Sequence, residues 1–419
     1  MQRHADIVIG GGGMVGLTLA IALAKGGLDV VVADPVAADT ALAAKFDGRV
    51  SALSYSSIRM LEALDLWPHL EAKAQSIRDI LVTDAPLGGA PSPFSLHFDS
   101  QEIGRPMGAI AENRHIRAML FEGAKDLATL SFISPAALTN LDDTGGRIEA
   151  ALSNGDTVVA SLAIAADGRD SPMREAMGIS AIGWSYPQTG IVATVTHERP
   201  HEGVAYEHFL PSGPFAILPM IPAPGGDAPA QEQSNRSSLV WTERDDRAPS
   251  MMALSDAAFE SEIAARFGAH LGAISAAGMR WSYPLRFHLA RAYVRPRFAL
   301  AGDAAHGIHP IAGQGLNLGF KDVAALAETL LDAHRLGLDI GALDVLKRYE
   351  RWRRFDAAVL AAATDGLNRL FSNDIAPLRL ARDLGLGIVD GIGPLRRLFM
   401  RHAGGDIGKL PRLLKGEAA

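Results

Sequence analysis

The chain has 419 residues, enough for two or three domains, and its 48% hydrophobic and 21% charged residues are typical of a globular protein. Its net charge of −7 argues against a protein that mainly binds nucleic acid phosphates, so no nucleic acid partner is expected. Because the chain contains no cysteine, disulfides, cysteine-held zinc or iron–sulfur sites, thiolate-ligated haem and a cysteine nucleophile are excluded.

The first predicted elements are a strand, a helix and a second strand. Residues 6–9 are predicted to form a buried strand, residues 14–25 an apolar helix, and residues 28–33 another buried strand. The stretch from residue 7 to residue 24 carries no charge, but four consecutive glycines at residues 10–13 argue against a signal peptide or a membrane span.

The junction between the first strand and the helix carries the pattern Gly11-x-Gly13-x-x-Gly16. In such a pattern the first glycine permits a tight turn, the second lets a pyrophosphate approach the backbone, and the third lets helix and strand pack closely. Asp34 follows the second strand, where its carboxylate can accept hydrogen bonds from ribose hydroxyls. This order of elements predicts a dinucleotide site, the alternative being a glycine turn that serves packing alone. The fingerprint does not separate NAD from FAD.

The pattern of the chain changes between residues 182 and 285, where alternating strands dominate and indicate a second domain built on a sheet. Residues 222–237 are rich in Pro, Gly, Ala, Gln and Ser and predict a long, mobile hairpin loop. The predicted strands are residues 191–196, 204–210, 215–220 and 238–242. Six aromatic side chains are candidates for lining a substrate pocket, and because sheet core explains most of them, two or three are expected there: Trp184, Tyr186, Tyr206, Phe209, Phe215 and Trp241.

A second glycine cluster lies some 300 residues after the first, between residues 300 and 322. Gly302 and Asp303 follow a predicted buried strand at residues 298–301, where the Asp303 carboxylate can bind ribityl hydroxyls. Backbone N–H groups for a pyrimidine edge or a phosphate are offered near a helix start by Gly313, Gly315, Leu316 and Asn317. A nicotinamide dinucleotide needs no such second site, whereas the long FAD molecule does, so FAD is the predicted cofactor. Helices are predicted at residues 321–334 and, with breaks, from residue 342 onward.

Three motifs together resemble the fingerprints of the single-component flavoprotein aromatic hydroxylases, which share the para-hydroxybenzoate hydroxylase fold. They are Gly11-x-Gly13-x-x-Gly16, Ala166-Asp167-Gly168 and Gly302-Asp303. Within that class, residues 309–319 read HPIAGQGLNLG and resemble the signature of the ubiquinone-biosynthesis hydroxylases, the UbiH/UbiF/COQ6 branch. Residues 112–114, ENR, and residues 208–220, HFLPSGPFAILPM, are also similar to that branch, and the resemblance covers residues 5 to about 400.

The resemblance implies an α/β fold in which a Rossmann-like FAD-binding domain carries an inserted β-sheet substrate domain and a helical C-terminal region. The FAD-binding domain is expected to comprise residues 1–70, 105–180 and 290–340. The substrate-binding sheet domain is expected at residues 71–104 and 181–289, and the helical C-terminal region at residues 341–419.

The resemblance also implies which residues bind the cofactor. The adenosine diphosphate half would be held by Gly11, Gly13, Gly16 and Asp34. The pyrophosphate and ribityl region would be contacted by Arg49, Asn113, Arg114, Gly302 and Asp303. Asp167 and Gly168 would serve FAD binding and the approach of NAD(P)H, and Pro310 would shape the backbone at the flavin. The isoalloxazine would be lined by Gly313, Gln314, Gly315, Leu316 and Asn317. The alanine-rich residues 35–46 depart from the more basic or aromatic stretch that the family often has before Arg49.

The implied activity is that of an FAD-dependent monooxygenase. NAD(P)H, a transient co-substrate, would reduce FAD, and O₂ would give a C4a-hydroperoxyflavin that hydroxylates the aromatic ring of a prenylated phenol in ubiquinone biosynthesis. The alternatives are a hydroxylase of a soluble aromatic compound, a prenyl-lipid reductase of the same fold, and a non-catalytic scaffold of a lipid-synthesis complex. Other ubiquinone-biosynthesis proteins are expected partners, beside the aromatic substrate and O₂.

His309 is the candidate catalytic residue because it lies at the expected flavin edge; the alternative is a structural histidine bonded to a backbone carbonyl. His306 and His309 stand three residues apart, but Asp303 is the sole carboxylate near them in the sequence, so no metal site is predicted. A second histidine group on alternating strands does not clearly share a face and is not expected to bind metal either: His197, His201 and His208.

The end of the chain is basic in an otherwise acidic protein. Residues 345–402 hold 11 Lys and Arg against 6 Asp and Glu, a local charge of +5, with apolar residues interleaved. This composition predicts either a surface that touches anionic lipid or an amphipathic helical cap on the core. The expected location is cytoplasmic, with peripheral contact at the inner face of the membrane.

Overall fold

The computed structural model describes residues 1–43, 49–84, 92, 94–222 and 235–419. Most of the loop predicted at residues 222–237 lies outside the described residues, as do the last three residues of the alanine-rich stretch 35–46.

The described residues contain 21 strands, from two to 17 residues long, which we number in chain order. They are β1 Gln2–His4, β2 Ile7–Gly10, β3 Val30–Ala33, β4 Val50–Ser54, β5 Ala74–Ile77, β6 Asp79–Asp84, β7 Leu96–Asp99, β8 Gly108–Glu112, β9 Leu130–Ile133, β10 Leu138–Asp143, β11 Ile148–Leu152, β12 Thr157–Ala160, β13 Leu162–Ala165, β14 Ala181–His197, β15 Val204–Leu210, β16 Gly213–Met220, β17 Arg236–Arg244, β18 Ile274–Ala290, β19 Val294–Arg295, β20 Phe298–Leu300 and β21 His306–Gly307.

The α-helices of the described residues are numbered in the same way. They are α1 Met14–Lys25, α2 Ala38–Leu42, α3 Tyr55–Ala63, α4 Asn113–Ala124, α5 Pro172–Ala176, α6 Ala248–Met252, α7 Asp256–Phe267, α8 Gln314–Arg335, α9 Leu343–Phe371, α10 Ala376–Gly391 and α11 Gly393–Ala403. No helix among the described residues has the length and apolarity needed to cross a membrane.

The first sheet has the strand order β19-β20-β13-β2-β3-β9 and is parallel except for its edge strand β19. Every residue of β2, β3 and β13 is buried, as expected for parallel strands that are covered on both faces. In register, Ile9 lies between Val32 of β3 and Ile164 of β13. The predicted strand at residues 6–9 and helix at residues 14–25 are confirmed, and the second strand begins two residues later than predicted.

Helices α1 and α8 lie side by side on this sheet. A Cβ placed on Gly319 would stand 2.6 Å from Val15, and a Cβ on Gly26 would stand 2.3 Å from Leu331. The contact near the start of α1 is made with the start of α8, and the contact just after the end of α1 is made near the end of α8. The two helices therefore run parallel. Their N-termini therefore lie at the same end of the sheet, although they are some 300 residues apart in the chain.

The second sheet is larger and mainly antiparallel, with the order β21-β18-β14-β17-β16-β15-β6-β7. The strand predicted at residues 204–210 is exact, and the other three predicted strands lie within β14, β16 and β17. One face packs against α7 around Trp241, Phe215 and Phe259, which are fully buried. The opposite face lies over a second apolar cluster, which we call the pocket cluster. Its members include Ile110, Ala205, Phe209, Met220, Ile311 and Phe371.

Two smaller sheets have the orders β1-β12-β11-β10 and β4-β8-β5. The predicted helical C-terminal region corresponds to α9, α10 and α11, which end at Ala403. The residues after α11 return to the core of the first sheet, where Leu413 and Leu414 are buried. Asp406 in this tail forms ion pairs with Arg59 of α3 and with Arg105.

Candidate active site

The first glycine cluster forms a tight turn between β2 and α1. Gly11 has a φ of +103°, and a Cβ there would stand 2.3 Å from the carbonyl oxygen of Ala166. A Cβ on Gly16 would stand 1.9 Å from the carbonyl oxygen of Gly11. At Gly13, in contrast, no described atom lies within 4 Å of an added Cβ. Close packing thus explains the glycines at positions 11 and 16, whereas Gly13 leaves open space at the N-terminus of α1.

Asp34 lies beside this turn, at the end of β3. Its Oδ2 accepts a hydrogen bond from the Gly12 N–H at 2.6 Å, and its Oδ1 accepts one from the Val36 N–H at 2.7 Å. The backbone therefore fixes the carboxylate next to the open space at Gly13. Each carboxylate oxygen can accept a further hydrogen bond, so Asp34 can also bind a pair of ligand hydroxyls.

The second glycine cluster packs directly on the first. Gly302 has a φ of +61° and begins a short 3₁₀ helix, Gly302–Ala304, in which Asp303 is exposed. A Cβ on Gly302 would stand 3.0 Å from Val15 near the start of α1. Gly302, Asp303 and Gly13 are thereby brought to one end of the sheet, as a single long cofactor would require.

The N-terminus of α8 faces the same end. Its N-cap is Gly313, which has a φ of +61° and offers no capping side chain. No described atom lies within 4 Å of a Cβ added to Gly315. The N–H groups in the first turn of a helix have no partners within the helix, and they carry its positive dipole end. Two neighbouring helix N-termini can therefore hold an anionic or carbonyl-bearing ligand.

The side chain of Asn317 is engaged in hydrogen bonds within the protein. Its Oδ1 accepts hydrogen bonds from the Ser54 N–H at 2.9 Å and the Ser57 hydroxyl at 2.8 Å. Its Nδ2 donates to the carbonyl oxygen of Ala52 at 2.8 Å. This side chain ties α8 to the junction of β4 and α3, so its backbone, rather than its amide group, is the part open to a ligand.

Asp322 is a buried residue of this region that sequence reasoning missed. Its Oδ2 accepts hydrogen bonds from the Gly302 N–H at 3.0 Å and from His306 Nε2 at 2.5 Å, and its Oδ1 accepts one from Arg353 Nε at 2.8 Å. Burial alone would raise the pKa of Asp322, but the charges of His306 and Arg353 outweigh burial and hold it below its ordinary value. The signal in the sequence was an aspartate on the apolar face of α8.

The other predicted phosphate and ribityl contacts lie where β4 meets β8. The Asn113 N–H donates to the carbonyl oxygen of Arg49 at 3.0 Å, and the Ser51 hydroxyl donates to Asn113 Oδ1 at 2.7 Å. Arg49 also lies 5.8 Å from the ring centroid of Tyr283 in the large sheet. Arg114 forms an ion pair with Glu112 at 2.8 Å. The structure therefore brings Arg49 and Asn113 together and engages Arg114 with a neighbouring carboxylate.

Asp167 and Gly168 follow β13, and the next two residues, Arg169 and Asp170, line a cleft of about 270 Å³. Burial raises the pKa of Asp167 above its ordinary value, and Gly168 has a φ of +91°. Arg174 donates to the carbonyl oxygen of Ala304 at 3.0 Å, which ties this motif to the second glycine cluster. The cleft is basic and partly aromatic, and its lining includes Arg169, Arg174, Arg286, Trp184 and Phe287.

His309 is fully buried between the second glycine cluster and α9. Neither ring nitrogen has a hydrogen-bond partner within the described ranges. The alternative prediction, a structural histidine bonded to a backbone carbonyl, therefore finds no such carbonyl among the described residues. Burial lowers the pKa of His309 to about 4, which leaves the ring neutral near pH 7. Its ring centroid lies 5.1 Å from that of Tyr186, whose hydroxyl donates to Asp365 at 2.8 Å. A neutral imidazole in this position has one donor and one acceptor to offer a ligand.

The aromatic candidates of the large sheet divide between its two faces. Trp241 and Phe215 belong to the core under α7, and Tyr206 packs edge-on against Phe267 of that helix at 5.2 Å. Phe209 lies in the pocket cluster, 4.1 Å from Phe371, while Tyr186 lies against His309. Trp184 stacks on Phe287 in the basic cleft.

Comparison with known proteins gives consistent matches over most of the chain. The sequence model of the family described as FAD binding domain matches residues 4–362. Ubiquinone hydroxylase UbiL of Rhodospirillum rubrum is 50% identical over 99% of this chain and 94% of its own length. The 3-demethoxyubiquinol 3-hydroxylase of Escherichia coli is 33% identical over 96% of this chain and 99% of its own. The human mitochondrial ubiquinone biosynthesis monooxygenase COQ6 is 31% identical over 95% of this chain and 92% of its own.

Among solved structures, p-nitrophenol 4-monooxygenase PnpA of Pseudomonas putida superposes with a TM-score of 0.77 at 18% identity, covering 98% of this chain and all of that one. Pseudomonas aeruginosa PqsL superposes with a TM-score of 0.75 at 21% identity, covering 91% of this chain and all of that one. At these identities the likeness shows a shared fold.

Proposed function

The chain belongs to the FAD-dependent ubiquinone-biosynthesis hydroxylases, the UbiH/UbiF/COQ6 branch of the flavoprotein monooxygenases, and we propose that it hydroxylates the ring of a prenylated phenol in ubiquinone biosynthesis. It is an FAD-dependent monooxygenase with NAD(P)H as its co-substrate. The observation that carries the proposal is the meeting of two helix N-termini and two glycine clusters at one end of the parallel sheet, next to the apolar pocket cluster.

We assign the FAD-binding role to the domain built on the parallel sheet, residues 1–70, 105–180 and 290–340, and substrate binding to the large-sheet domain, residues 71–104 and 181–289. The open space at Gly13 and the uncapped N-terminus of α1 fit a pyrophosphate. The remaining FAD contacts are assigned by position: ribose hydroxyls to Asp34, the ribityl region to Arg49, Asn113, Arg114, Gly302 and Asp303, the backbone at the flavin to Pro310, and the isoalloxazine to Gly313, Gln314, Gly315, Leu316 and the backbone of Asn317. When bound, FAD supplies the electron transfer from NAD(P)H and the activation of O₂.

We propose that NAD(P)H docks in the basic cleft beside Asp167 and Gly168. Its phosphates are anionic, and the cleft presents three arginine side chains with one carboxylate, that of Asp170. Trp184, stacked on Phe287 at 4.1 Å, offers a flat apolar surface to an aromatic ring.

We assign to His309 the role of hydrogen-bonding the flavin edge. Its nitrogens lack partners in the part of the chain that the structure describes, and an unpaired buried polar group is costly unless a ligand satisfies it. The pocket cluster keeps water away from the reacting ring and accepts the first apolar part of a prenyl tail.

We further propose a cytoplasmic protein whose C-terminal helices rest on the inner face of the membrane, where a prenylated substrate resides. Five large apolar side chains of α10, α11 and the bend between them are between 47% and 57% exposed: Leu384, Ile388, Ile392, Leu398 and Phe399. Arg397 and Arg401 are exposed beside them, and residues 345–402 carry a charge of +5. Apolar side chains with neighbouring arginines favour anionic bilayers.

The membrane contact can be tested by co-sedimentation with phosphatidylglycerol-containing vesicles. Ile388→Glu combined with Leu398→Glu should abolish binding, and added salt should weaken wild-type binding. Leu336→Glu is the matched control, because Leu336 is 72% exposed but lies in the turn after α8. Equal binding by the double variant and the wild type would refute the assignment of the surface.

The hydroxylase activity is tested with purified protein, NADH or NADPH, ¹⁸O₂ and a series of polyprenyl phenols, with products analysed by mass spectrometry. The expected product carries one ¹⁸O atom on the ring and appears in step with NAD(P)H oxidation. A product that gains hydrogen but no ¹⁸O would favour a reductase. If only short soluble phenols gained ¹⁸O, the substrate would be a soluble aromatic compound and not a prenylated phenol.

A further inference from the structure

Glu207 lies in the middle of β15 and faces the pocket cluster. Side chains alternate between the two faces of a strand. Tyr206 packs against Phe267 of α7 on one face, whereas Ala205 and Phe209 belong to the pocket cluster with Ile311. Glu207 stands between Ala205 and Phe209 on that second face. Ile311 follows His309 and Pro310 in the segment that leads into α8, so the carboxylate lies on the side of the sheet that faces the flavin-binding region.

The immediate neighbours of Glu207 in the sheet are apolar. In register, it lies between Val82 of β6 and Ala216 of β16. Among the residues that the structure describes, the Glu207 side chain has no hydrogen bond or ion pair. Its side chain is nevertheless partly accessible, although burial in the protein raises its pKa from 4.5 to about 7. The carboxylate is therefore largely surrounded by protein, while part of its surface remains accessible.

Three charged groups on the elements around Glu207 are engaged elsewhere, whereas Asp383 of α10 has a buried oxygen, Oδ1, without a hydrogen-bond partner among the described residues. Asp84, the neighbour of Phe209 on β6, accepts a hydrogen bond from Arg382 of α10 at 2.8 Å. Arg236 on β17 pairs with Glu112 at 3.4 Å. On α9, Asp365 accepts hydrogen bonds from Tyr186 and Arg369, both at 2.8 Å.

His309 also lies at the pocket cluster, and its low pKa keeps it neutral. Desolvation by burial is the sole cause of the shift at Glu207, so no neighbouring charge accounts for it. A carboxylate placed in an apolar pocket without a partner costs stability, which a bound ligand with a hydroxyl donor would offset.

Resting on the proposed function, we propose that Glu207 hydrogen-bonds the phenolic hydroxyl of the substrate and accepts its proton as the ring is hydroxylated. The phenolic O–H bond breaks, its electron pair stays on the oxygen, and an O–H bond forms on the carboxylate. The phenolate pushes electron density into the ring, which makes the ring carbon more reactive toward the electrophilic oxygen that the bound cofactor supplies from O₂. The hydroxylated ring carbon then loses its proton to the second oxygen atom of O₂, which leaves as water, and the C–H electron pair restores the aromatic ring. Glu207 finally returns its proton to the phenolate oxygen. The net proton count on Glu207 is unchanged.

The test compares Glu207→Gln, Glu207→Asp and the control Glu202→Gln as FAD-loaded proteins. Glu202 is exposed in the turn before β15, so its variant removes a carboxylate outside the pocket. Formation of ¹⁸O-labelled product, NAD(P)H oxidation, H₂O₂ release and FAD content are measured with a polyprenyl phenol that the wild type hydroxylates. Glu207→Gln should keep its FAD but lose about 100-fold in kcat for product, the size expected for a lost general base. NAD(P)H oxidation should continue, with H₂O₂ replacing the hydroxylated product.

The pH profile separates a proton acceptor from a residue that merely shapes the pocket. Wild-type kcat should fall on the acidic side of about pH 7, where Glu207 becomes protonated. Glu207→Asp should keep an acidic limb, and Glu207→Gln should lose it. A Glu207→Gln enzyme with wild-type kcat, or with reduced kcat and an unchanged acidic limb, would overturn the inference. If Glu207→Gln fails to retain FAD, a Glu207→Asp profile without an acidic limb overturns it instead. Failure of the wild type to incorporate ¹⁸O with any phenol would refute the proposed function itself.

Discussion

Replacing Gly13 by valine should weaken FAD binding without destabilising the protein, whereas replacing Gly16 by alanine should destabilise the fold. The two glycines stand three residues apart in the same motif, but their surroundings differ. No described atom lies within 4 Å of a Cβ at Gly13, whose φ of −68° suits any residue. At Gly16 the new carbon would stand 1.9 Å from the carbonyl oxygen of Gly11, a backbone atom that cannot rotate away.

The expected magnitudes follow from these distances. Ordinary van der Waals contact begins near 3.4 Å, so Gly16→Ala must move α1 by roughly 1.5 Å from the turn, and such overpacking costs about 1–3 kcal/mol or more. Gly13→Val meets no protein atom in the described structure, so the free energy of unfolding of the FAD-free protein should change by about 0.5 kcal/mol or less. A side chain in the space assigned to the pyrophosphate should weaken FAD binding by roughly 10- to 100-fold or more.

Both variants can be followed by the ratio of flavin to protein absorbance and by thermal unfolding with and without added FAD. The wild type stripped of FAD is the control for the melting temperature. Gly13→Val should melt with the stripped wild type and gain little stability from FAD, while Gly16→Ala should melt lower in both conditions. Full flavin content in Gly13→Val would refute the placement of the pyrophosphate at this turn.

Three further predictions concern buried polar groups. Asp322→Asn should lower the free energy of unfolding by about 3–5 kcal/mol, because it removes the buried carboxylate that pairs with Arg353 and His306 and leaves Arg353 with the more exposed Asp356 alone. The pKa of Asp322 is depressed, so its contribution is present above the ordinary value of 3.8 and is lost below it. The melting temperatures of variant and wild type should therefore converge as the pH falls below about 4. The pKa of Glu207 is raised, so the wild type should lose stability relative to Glu207→Gln as the pH rises from 4.5 through about 7, by at most about 3 kcal/mol. A difference in melting temperature between wild type and variant that is the same at pH 5 and at pH 8 would contradict this. His309→Leu removes no hydrogen bond within the described residues, so thermal unfolding of the FAD-free protein should change little while ¹⁸O incorporation by the holoenzyme falls; an equally active variant would contradict the catalytic assignment.

The local patterns of the sequence predicted elements well where burial is continuous. The β2–α1–β3 unit could be placed within two residues, because each strand is a short apolar run and the intervening glycines have a mechanical role. Strand β14 was predicted only at residues 191–196 of its 17 residues, and β18 was not predicted at all. The part of β14 that precedes this stretch is exposed at residues 181–185 and is interrupted by Gly183, Pro187 and Gly190, and its partner in β18 is about 100 residues away. Such pairing is fixed by long-range register and not by local composition.

The same limit applies to the candidate site. The motifs identified Gly13, Asp34 and Asp303 separately. Their common position at one end of the sheet follows from the parallel packing of α1 and α8. The side-chain bonds of Asn317 also depend on distant residues, since they reach back more than 250 positions to Ser54 and Ser57. Glu207 escaped notice because a glutamate in an alternating strand is usually a solvent-facing residue.

The central position of β2 has a consequence for the synthesis of the protein. β2 is made first, yet it lies between β3 and β13, and β20 completes that side of the sheet only at residues 298–300. At ribosomal rates of about 5–20 residues per second, roughly 15–60 s pass between the synthesis of β2 and that of β20, the last strand of this sheet to be made. The helix α8, which pairs its N-terminus with that of α1, emerges later still. A complete FAD site is therefore expected only after residues 314–335 have been made, and the apolar N-terminal segment must avoid aggregation until then.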